Sequence, residues 1–188
     1  MHDLSPLTAL GNTVAQSDQV AGLTITEVAD LAFASVAARL SREEECRSAL
    51  TDYLGDDLPQ AGKALVRAPI SAIWLGPEQW MLSAPFHSHE TLAEDIKAVV
   101  KDTGSVTEQS DAWVAFDVEG DGVIALSERL CAAPARRMQT GDAQRTTIHH
   151  LGCFLVCLST HQHMRFIGPR SSAASLHHAL VTAAHSVA

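Results

Sequence analysis

Histidines and cysteines cluster between residues 149 and 163, and both residue types are common zinc ligands. The candidates are His149, His150, Cys153, Cys157, His161 and His163. On a strand, adjacent residues point to opposite faces, and residues four apart lie about 13 Å from each other. That separation is too large for one zinc ion, whose bonds to sulfur measure ~2.3 Å. The spacing therefore favours a sheet with the cysteines on its buried face, and we predict no metal ligand.

Motifs for nucleotide binding and for nucleophilic catalysis are missing from the sequence. The chain has no Gly-x-Gly-x-x-Gly loop, no Gly-x-x-x-x-Gly-Lys-Ser/Thr loop and no Gly-x-Ser-x-Gly turn. Asp111 and Asp117 would share one strand face about 20 Å apart, which is too far for paired acid and base catalysis. We therefore predict no catalytic residue and no cofactor-binding residue in this chain.

Arg170, Ser171 and Ser172 stand where a glycine-proline turn leads into a helical pattern. Free amides and the dipole at a helix N-terminus, next to a guanidinium, suit an anion or an acidic side chain. Serine hydroxyls at the same place can instead cap the helix by accepting hydrogen bonds from those amides. Both interpretations remain open, and the three residues are candidate partner contacts.

Tryptophans are the other candidates for partner contact. Trp74, Trp80 and Trp113 all lie in predicted strand pairs, where packing in the core is the ordinary role of an indole. Tryptophan is also a frequent anchor of protein interfaces. The sequence leaves both roles open for all three residues.

Composition limits the class of protein. The chain has 188 residues, of which 46% are hydrophobic and 19% charged, and this balance is typical of a folded domain. The formal net charge is -9 and the longest basic run is Arg136-Arg137, so we expect no nucleic-acid partner. No apolar run approaches the ~20 residues of a membrane-spanning helix. The N-terminal residues do not resemble a signal peptide, so we expect a cytoplasmic protein with reduced cysteines and no membrane contact.

Strand-like runs recur in pairs, and a helical pattern follows each group. Two strands or a strand pair are predicted within 23–38, and further strands over 71–75, 79–84, 105–109, 113–118, 145–150, 153–158 and 164–167. Helices are predicted after Ser41, after Ser88, over 121–131 and after Ser171, with an irregular stretch at 132–144. Ser41 would begin a capping box and Ser88 would cap the second helix. Gly55 and Gly104 would end the first two helices.

This order of elements predicts the α+β class. Repeated strand-pair-plus-helix units fit mainly antiparallel sheets better than a doubly wound parallel sheet. Residues 1–20 are predicted to be an extended N-terminal arm that orders on binding. Residues 21–188 would form a single α+β domain, and a division into two lobes, 21–104 and 105–188, remains open.

Four segments carry a resemblance to a known family. They are AIWLGPEQW at 72–80, SVTEQSDAW at 105–113, ERLC at 128–131 and GPRSSAASLHHAL at 168–180. In this order they resemble the gamma subunit of heterotetrameric sarcosine oxidase, and the similarity runs from about residue 23 to 186. The resemblance implies a fold similar to part of the folate-binding aminomethyltransferase fold.

The resemblance also implies a role. Such a complex contains alpha, beta, gamma and delta subunits and oxidatively demethylates sarcosine to glycine, with hydrogen peroxide and methylene-tetrahydrofolate as further products. The gamma subunit would be non-catalytic, with an assembly and stabilising role, and alpha would be its direct contact. FAD, FMN, NAD and tetrahydrofolate would be bound on the other subunits and none on this chain. The complex is then an oxidoreductase, and the isolated chain is expected to be inactive.

Two alternatives stay open. The first is a standalone folate-binding protein related to aminomethyltransferases. Such relatives carry a motif like Lys-Gly-Cys-Tyr-x-Gly-Gln-Glu, and the region around Cys131 does not supply it. The second is a self-associating domain with its own small-molecule pocket.

Overall fold

The structure, a computed structural model, describes residues 6–187. In chain order its elements are β1 (Ser17–Val20), β2 (Leu23–Glu27), β3 (Ala32–Ala38), α1 (Glu43–Leu54), β4 (Ala64–Leu65), β5 (Ser71–Gly76), β6 (Gln79–Ala84), α2 (Leu92–Val100), β7 (Gly104–Glu108), β8 (Trp113–Glu119), α3 (Val123–Leu130), β9 (Ala143–Ile148), β10 (Leu151–Ser159), β11 (His163–Pro169) and α4 (Ala173–Ser186). Short 3-10 turns lie at Phe86–Ser88, Ala135–Arg137 and Arg170–Ser172.

The described chain divides into two compact units, which we call the first and second units. The first unit comprises residues 6–29, 111–140 and 144–187, and the second comprises 30–110 with 141–143. These boundaries differ from the two lobes considered from the sequence, 21–104 and 105–188. The reason is that β2, near the start of the chain, pairs with β8, so the first unit is built from separate stretches of sequence.

The second unit holds a five-stranded sheet in the order β4-β5-β6-β3-β7, and its strand pairs are antiparallel. The chain runs β3-α1-β5-β6-α2-β7, which is the ferredoxin-like split βαβ arrangement, and β4 extends one edge. Side chains of α1 and α2 pack on one face of the sheet. The core there includes Val36, Cys46, Leu50, Trp80, Leu82, Leu92, Ile96 and Val100.

The first unit repeats this arrangement with its strands taken in a different chain order. Its six-stranded sheet has the order β1-β2-β8-β11-β10-β9. The run β8-α3-β10-β11-α4 corresponds to β3-α1-β5-β6-α2, and β2 takes the place that β7 has in the second unit. The core includes Leu23, Ile25, Phe116, Leu126, Leu155, Phe166, Leu176 and Leu180. The closing strand of this unit therefore comes from the N-terminal part of the chain.

Helix starts are the main point where the sequence-based prediction was wrong. Ser41 has a φ of 66°, and α1 begins at Glu43 without a side-chain cap, because a capping serine needs an extended backbone. Ser88 lies in the short turn before α2 and does not cap it. Gly55 ends α1 as predicted, with a φ of 65°. Gly104 begins β7, since α2 already ends at Val100.

Strand positions agree better with the prediction. The predicted strands all form, but β7 and β8 do not pair with each other, because β7 lies in the five-stranded sheet and β8 in the six-stranded sheet. Within 23–38 there are two separate strands and not a pair, since β2 and β3 also lie in different sheets. In addition, β1 lies in the predicted arm, the two-residue β4 lies in a predicted loop, and β9 begins inside the predicted irregular stretch. His149 and His150 have φ values of 46° and 69° and make the two-residue turn between β9 and β10. They are therefore turn residues and not neighbours on opposite strand faces.

Candidate functional site

A cleft of about 440 Å³ lies in the second unit. We call it the tryptophan cleft. Its walls come from α1, from the loop after α1 and from the β5–β6 hairpin. The lining residues that carry the argument are Arg47, Asp57, Pro59, Trp74, Glu78 and Trp80. Two of them, Trp74 and Trp80, are among the partner-contact residues predicted from the sequence.

The hairpin sets the positions of the two tryptophans. Trp74 and Trp80 face each other directly across β5 and β6, so both indoles lie on the same side of the sheet. Trp80 is buried, with 4% of its surface exposed, and its indole Nε1 donates to the Pro59 carbonyl at 3.0 Å. Trp74 is only partly buried. Trp80 therefore holds the loop after α1 in place, and part of the Trp74 indole is exposed at the cleft.

Glu78 occupies the second position of the hairpin turn, directly after Pro77. Its φ of 58° is left-handed, a conformation that turns of this kind usually assign to glycine or asparagine. Left-handed backbone costs a residue with a side chain about 1 kcal/mol or more. Strain of this size is often found where a side chain has a function, which makes Glu78 a candidate that sequence reasoning did not single out. The Gly-Pro pair before it was the available signal.

The carboxylate of Glu78 is incompletely satisfied. Its Oε2 lies 3.3 Å from Arg47 Nε as an ion pair, but the contact lacks hydrogen-bond geometry. Oε2 is buried and accepts no hydrogen bond from the described residues. A buried acceptor without a donor has lost its hydration without replacement, so a further donor would be favourable here.

Charge in the tryptophan cleft is mixed, with an acidic excess. Asp57 and Glu78 each contribute a carboxylate, and Arg47 contributes a guanidinium. Glu78 is the ion-pair partner of Arg47, and Asp57 has no ion pair within residues 6–187. The side chains of Arg47 and Glu78 are 51% and 34% exposed, so their mutual attraction is weakened by solvent.

Trp113 and Arg170 meet in the first unit. Trp113 begins β8 opposite Pro169, and its ring packs edge-on against Phe154 with the centroids 5.7 Å apart. The Arg170 amide donates to the Ala112 carbonyl at 2.9 Å. The structure thus places the six predicted contact residues in two groups: Trp74 with Trp80 in the second unit, and Trp113 with Arg170, Ser171 and Ser172 in the first.

Arg170 binds its own chain. Its Nη2 donates to the Leu7 carbonyl at 3.1 Å, and its Nε lies 3.8 Å from an Asp111 carboxylate oxygen. Ser171 and Ser172 lie in the short turn before α4, and α4 has no side-chain cap. The capping interpretation of these serines is therefore wrong, and the guanidinium holds the N-terminal segment.

The described part of the predicted N-terminal arm, residues 6–20, is fastened to its own unit. Glu27 is buried, and its two carboxylate oxygens accept hydrogen bonds from the Leu10 and Gln16 amides at 3.0 and 3.2 Å. Asp18 lies 2.7 Å from the His177 imidazole of α4. Residues 17–20 form β1 and pair with β2. The first five residues of the predicted arm lie outside the described residues.

The thiols of Cys46 and Cys153 are poorly suited to nucleophilic attack. Burial raises the pKa of Cys153 to about 11, with a further rise from the neighbouring Cys131. Burial also raises the pKa of Cys46. Because of these raised pKa values, both side chains stay protonated at neutral pH, and the thiolate, which is the reactive form, is scarce. Within residues 6–187, no three histidine, cysteine or carboxylate groups lie close enough together to hold a metal ion.

Asp117, which the sequence analysis excluded from paired catalysis with Asp111, forms an ion pair across the six-stranded sheet. Asp117 on β8 faces Arg165 on β11, and the guanidinium donates to both carboxylate oxygens at 2.7 and 2.8 Å. The His163 ring lies 3.2 Å from the same carboxylate. Burial alone would raise the pKa of Asp117, but the hydrogen bonds from Arg165 and His163 outweigh it and hold the pKa below its usual value.

Two solved structures share this fold. A chain of heterotetrameric sarcosine oxidase from Corynebacterium sp. U-96, solved in complex with pyrrole 2-carboxylate, has a TM-score of 0.77 and 20% sequence identity, over 90% of this chain and 87% of that chain. Glycine cleavage system aminomethyltransferase T from Bartonella henselae has a TM-score of 0.63 and 13% identity, over 86% of this chain and 46% of that chain. No protein-family model and no curated protein matches the sequence.

These similarities define the fold as an α+β, aminomethyltransferase-like fold with antiparallel sheets, which confirms the predicted fold class. The chain spans less than half of the aminomethyltransferase and most of the oxidase chain. In the part of the chain that the structure describes, no helix is long and apolar enough to cross a membrane.

Proposed function

We propose that this chain is the non-catalytic gamma subunit of a heterotetrameric sarcosine oxidase, with an assembly and stabilising role. The observation that carries the proposal is the fold similarity to one chain of such an enzyme, which extends over 90% of this chain and 87% of that chain. At 20% identity the similarity itself concerns the fold. The sequence resemblance in four ordered segments supports the step from fold to role.

The positions of those segments support a surface role. Residues 72–80 form the hairpin that carries the tryptophan cleft, and residues 105–113 run from β7 to the start of β8. Residues 128–131 lie at the end of α3, and 168–180 run from β11 into α4. Three of the four segments thus contain the predicted contact residues: 72–80 in the second unit, and 105–113 and 168–180 for the group in the first unit. None of them brings together a nucleophile with a base, or an acid with a base.

The proposal assigns the chemistry to other chains. The alpha, beta and delta subunits would be the partners, with alpha in direct contact. FAD, FMN, NAD and tetrahydrofolate would be bound by those subunits, and the complex would oxidise sarcosine in the cytoplasm. The oxidoreductase activity would then be a property of the complex, and this chain would contribute contact surface to it.

A standalone folate-binding protein is the second candidate, because the fold is also that of aminomethyltransferase T. That similarity covers 46% of the aminomethyltransferase, so the residues of more than half of that protein have no counterpart here. A thermal-shift titration of the isolated chain with tetrahydrofolate separates the two candidates. A saturable rise in melting temperature would support the folate-binding alternative, and no rise is expected for the proposed subunit.

Co-purification tests the proposal itself. The chain is co-expressed with tagged alpha, beta and delta subunits from the same genome, and the tag is placed on alpha. We expect this chain to elute with the flavin-bearing subunits and to show no sarcosine oxidation alone. Elution of a flavin-bearing complex that lacks this chain, or turnover of sarcosine by the isolated chain, would contradict the proposal.

A further inference from the structure

The tryptophan cleft combines three features that point to a cationic, planar group as its ligand. It presents part of the Trp74 indole, a carboxylate on Asp57 without an ion-pair partner in the described chain, and the buried Glu78 oxygen that lacks a hydrogen-bond donor. An indole face attracts cations through its quadrupole, and carboxylates accept charge-assisted hydrogen bonds. The same side chains offer little to an uncharged, fully apolar ligand.

A guanidinium fits this set of side chains better than an ammonium. Its planar fork can stack on an indole while its N–H groups donate to carboxylates, whereas an ammonium is a compact and strongly hydrated point charge. Proline at positions 59 and 77 and the buried Trp80 add rigid apolar walls. A groove lined by aromatic and proline side chains suits an extended, proline-containing peptide, because its polyproline II conformation is largely formed before binding and less conformational entropy is lost.

We propose that the tryptophan cleft binds an arginine side chain carried by an extended segment of a partner subunit. The inference rests on the proposed function for the identity of the partner, and it assigns the contact to the second unit. The acidic excess of the cleft and the net charge of -9 both favour a basic segment. The incoming guanidinium takes up the unused acceptor on Glu78 and the carboxylate of Asp57.

Substitution of Arg47 provides a direct test, because its Nε lies 3.3 Å from the same Glu78 oxygen, Oε2. An incoming arginine has to share that carboxylate with Arg47, so Arg47→Ala should strengthen arginine binding. An acidic ligand would instead use Arg47 as its partner, and the same substitution would weaken its binding. The sign of the Arg47→Ala effect therefore separates the two kinds of ligand.

The probes are two peptides that differ in one residue: acetyl-Gly-Pro-Arg-Pro-Gly amide and the same peptide with glutamate in place of arginine. Binding is followed in the full chain by the indole N–H signals of its three tryptophans in NMR spectra. The arginine peptide should shift the signals of Trp74 and Trp80 and leave that of Trp113, in the first unit, unchanged. Tighter binding of the glutamate peptide, or shifts that include Trp113 equally, would overturn the proposal.

Variants complete the test. Glu78→Gln should weaken binding of the arginine peptide by about fivefold or more, as expected for the loss of a charged acceptor. Glu45→Gln is the matched control, because Glu45 lies on the same helix as Arg47, pairs with Arg42 at 2.8 Å and does not line the cleft. This control should bind the peptide as the unmodified chain does. Equal affinity in Glu78→Gln and Glu45→Gln would contradict the proposal.

The same variants distinguish failure of this inference from failure of the proposed function. If the chain co-purifies with its partner subunits and Glu78→Gln does so equally well, the cleft is not the contact and the proposed function stands. If the chain joins no complex, the proposed function fails. The indole signals then still report whether the cleft selects arginine.

Discussion

Glu78 holds a left-handed turn position that glycine would occupy at less cost, and this has a measurable consequence. At most positions alanine is more stable than glycine because it restricts the unfolded chain. At position 78 the φ of 58° reverses that order. Glu78→Gly should therefore be more stable than Glu78→Ala by about 1 kcal/mol, as measured by urea unfolding. A more stable alanine variant would show that the turn is not strained.

The ion pair between Asp117 and Arg165 should make the stability of the fold depend on pH. Because its pKa is lower in the folded chain than in the unfolded chain, its pairing with Arg165 stabilises the fold above about pH 4. This stabilisation is lost as the pH falls through the lower, folded pKa. The side chains of Asp117 and Arg165 are only 13% and 19% exposed, so solvent screens the pair weakly.

Asp117→Asn tests this dependence. The substitution leaves Arg165 without its charged partner and should lower the free energy of unfolding at neutral pH by roughly 2 kcal/mol. The difference from the unmodified chain should shrink progressively as the pH falls below 4, because Asp117 becomes protonated first in the unfolded chain and then, at lower pH, in the folded chain. Glu128→Gln removes an exposed carboxylate paired with Arg136 and is the control with little expected change. A difference that is constant from pH 3 to pH 7 would contradict the account.

At the scale of elements, the sequence predicted which segments are strands and helices more reliably than how they pair. Alternating and helical apolar patterns are local, so the β5–β6 hairpin and the apolar face of α1 were visible in the sequence. Pairing of β2 with β8 joins segments far apart along the chain and has no local signal. The start of α1 was misplaced because Ser41 lies in a tight turn, closed by the hydrogen bond from the Arg42 amide to the Arg39 carbonyl, and its left-handed φ of 66° does not suit a capping residue.

Only part of the tryptophan cleft could be predicted from the sequence, because local patterns do not show which distant segments come together. Trp74 and Trp80 could be named from residue type and strand position alone. Arg47 and Asp57 could not, because their place beside the hairpin depends on how α1 packs on the sheet. The ion pair of Asp117 could not be predicted either, because its partner Arg165 lies on a strand that only the folded sheet brings alongside.

The junction of β2 and β8 should be sensitive to a single methyl group. Gly120 follows β8 with a φ of 125°, and a Cβ there would lie 2.5 Å from the Gly22 carbonyl oxygen, just before β2. Gly120→Ala should therefore lower the free energy of unfolding by about 2 kcal/mol or more. Gly152→Ala is the matched control on β10, where a Cβ meets nothing within 4 Å. Similar stability of the two variants in urea would contradict the described pairing.

At the scale of the whole molecule, two ferredoxin-like units have the same spatial order of strands in their sheets, and the first unit takes its closing strand from the N-terminal part of the chain. The thiols of Cys46 and Cys153 are buried with raised pKa values, and Asp117 is paired with Arg165. The tryptophan cleft is the feature from which the proposed partner contact is argued.

Native mass spectrometry of the reconstituted complex tests the subunit role most directly. The chain is mixed with the purified alpha, beta and delta subunits, and the intact assembly is weighed. The account predicts one assembly whose mass includes a single copy of each chain. A stable assembly of alpha, beta and delta alone, with this chain left over as a separate species, would contradict it.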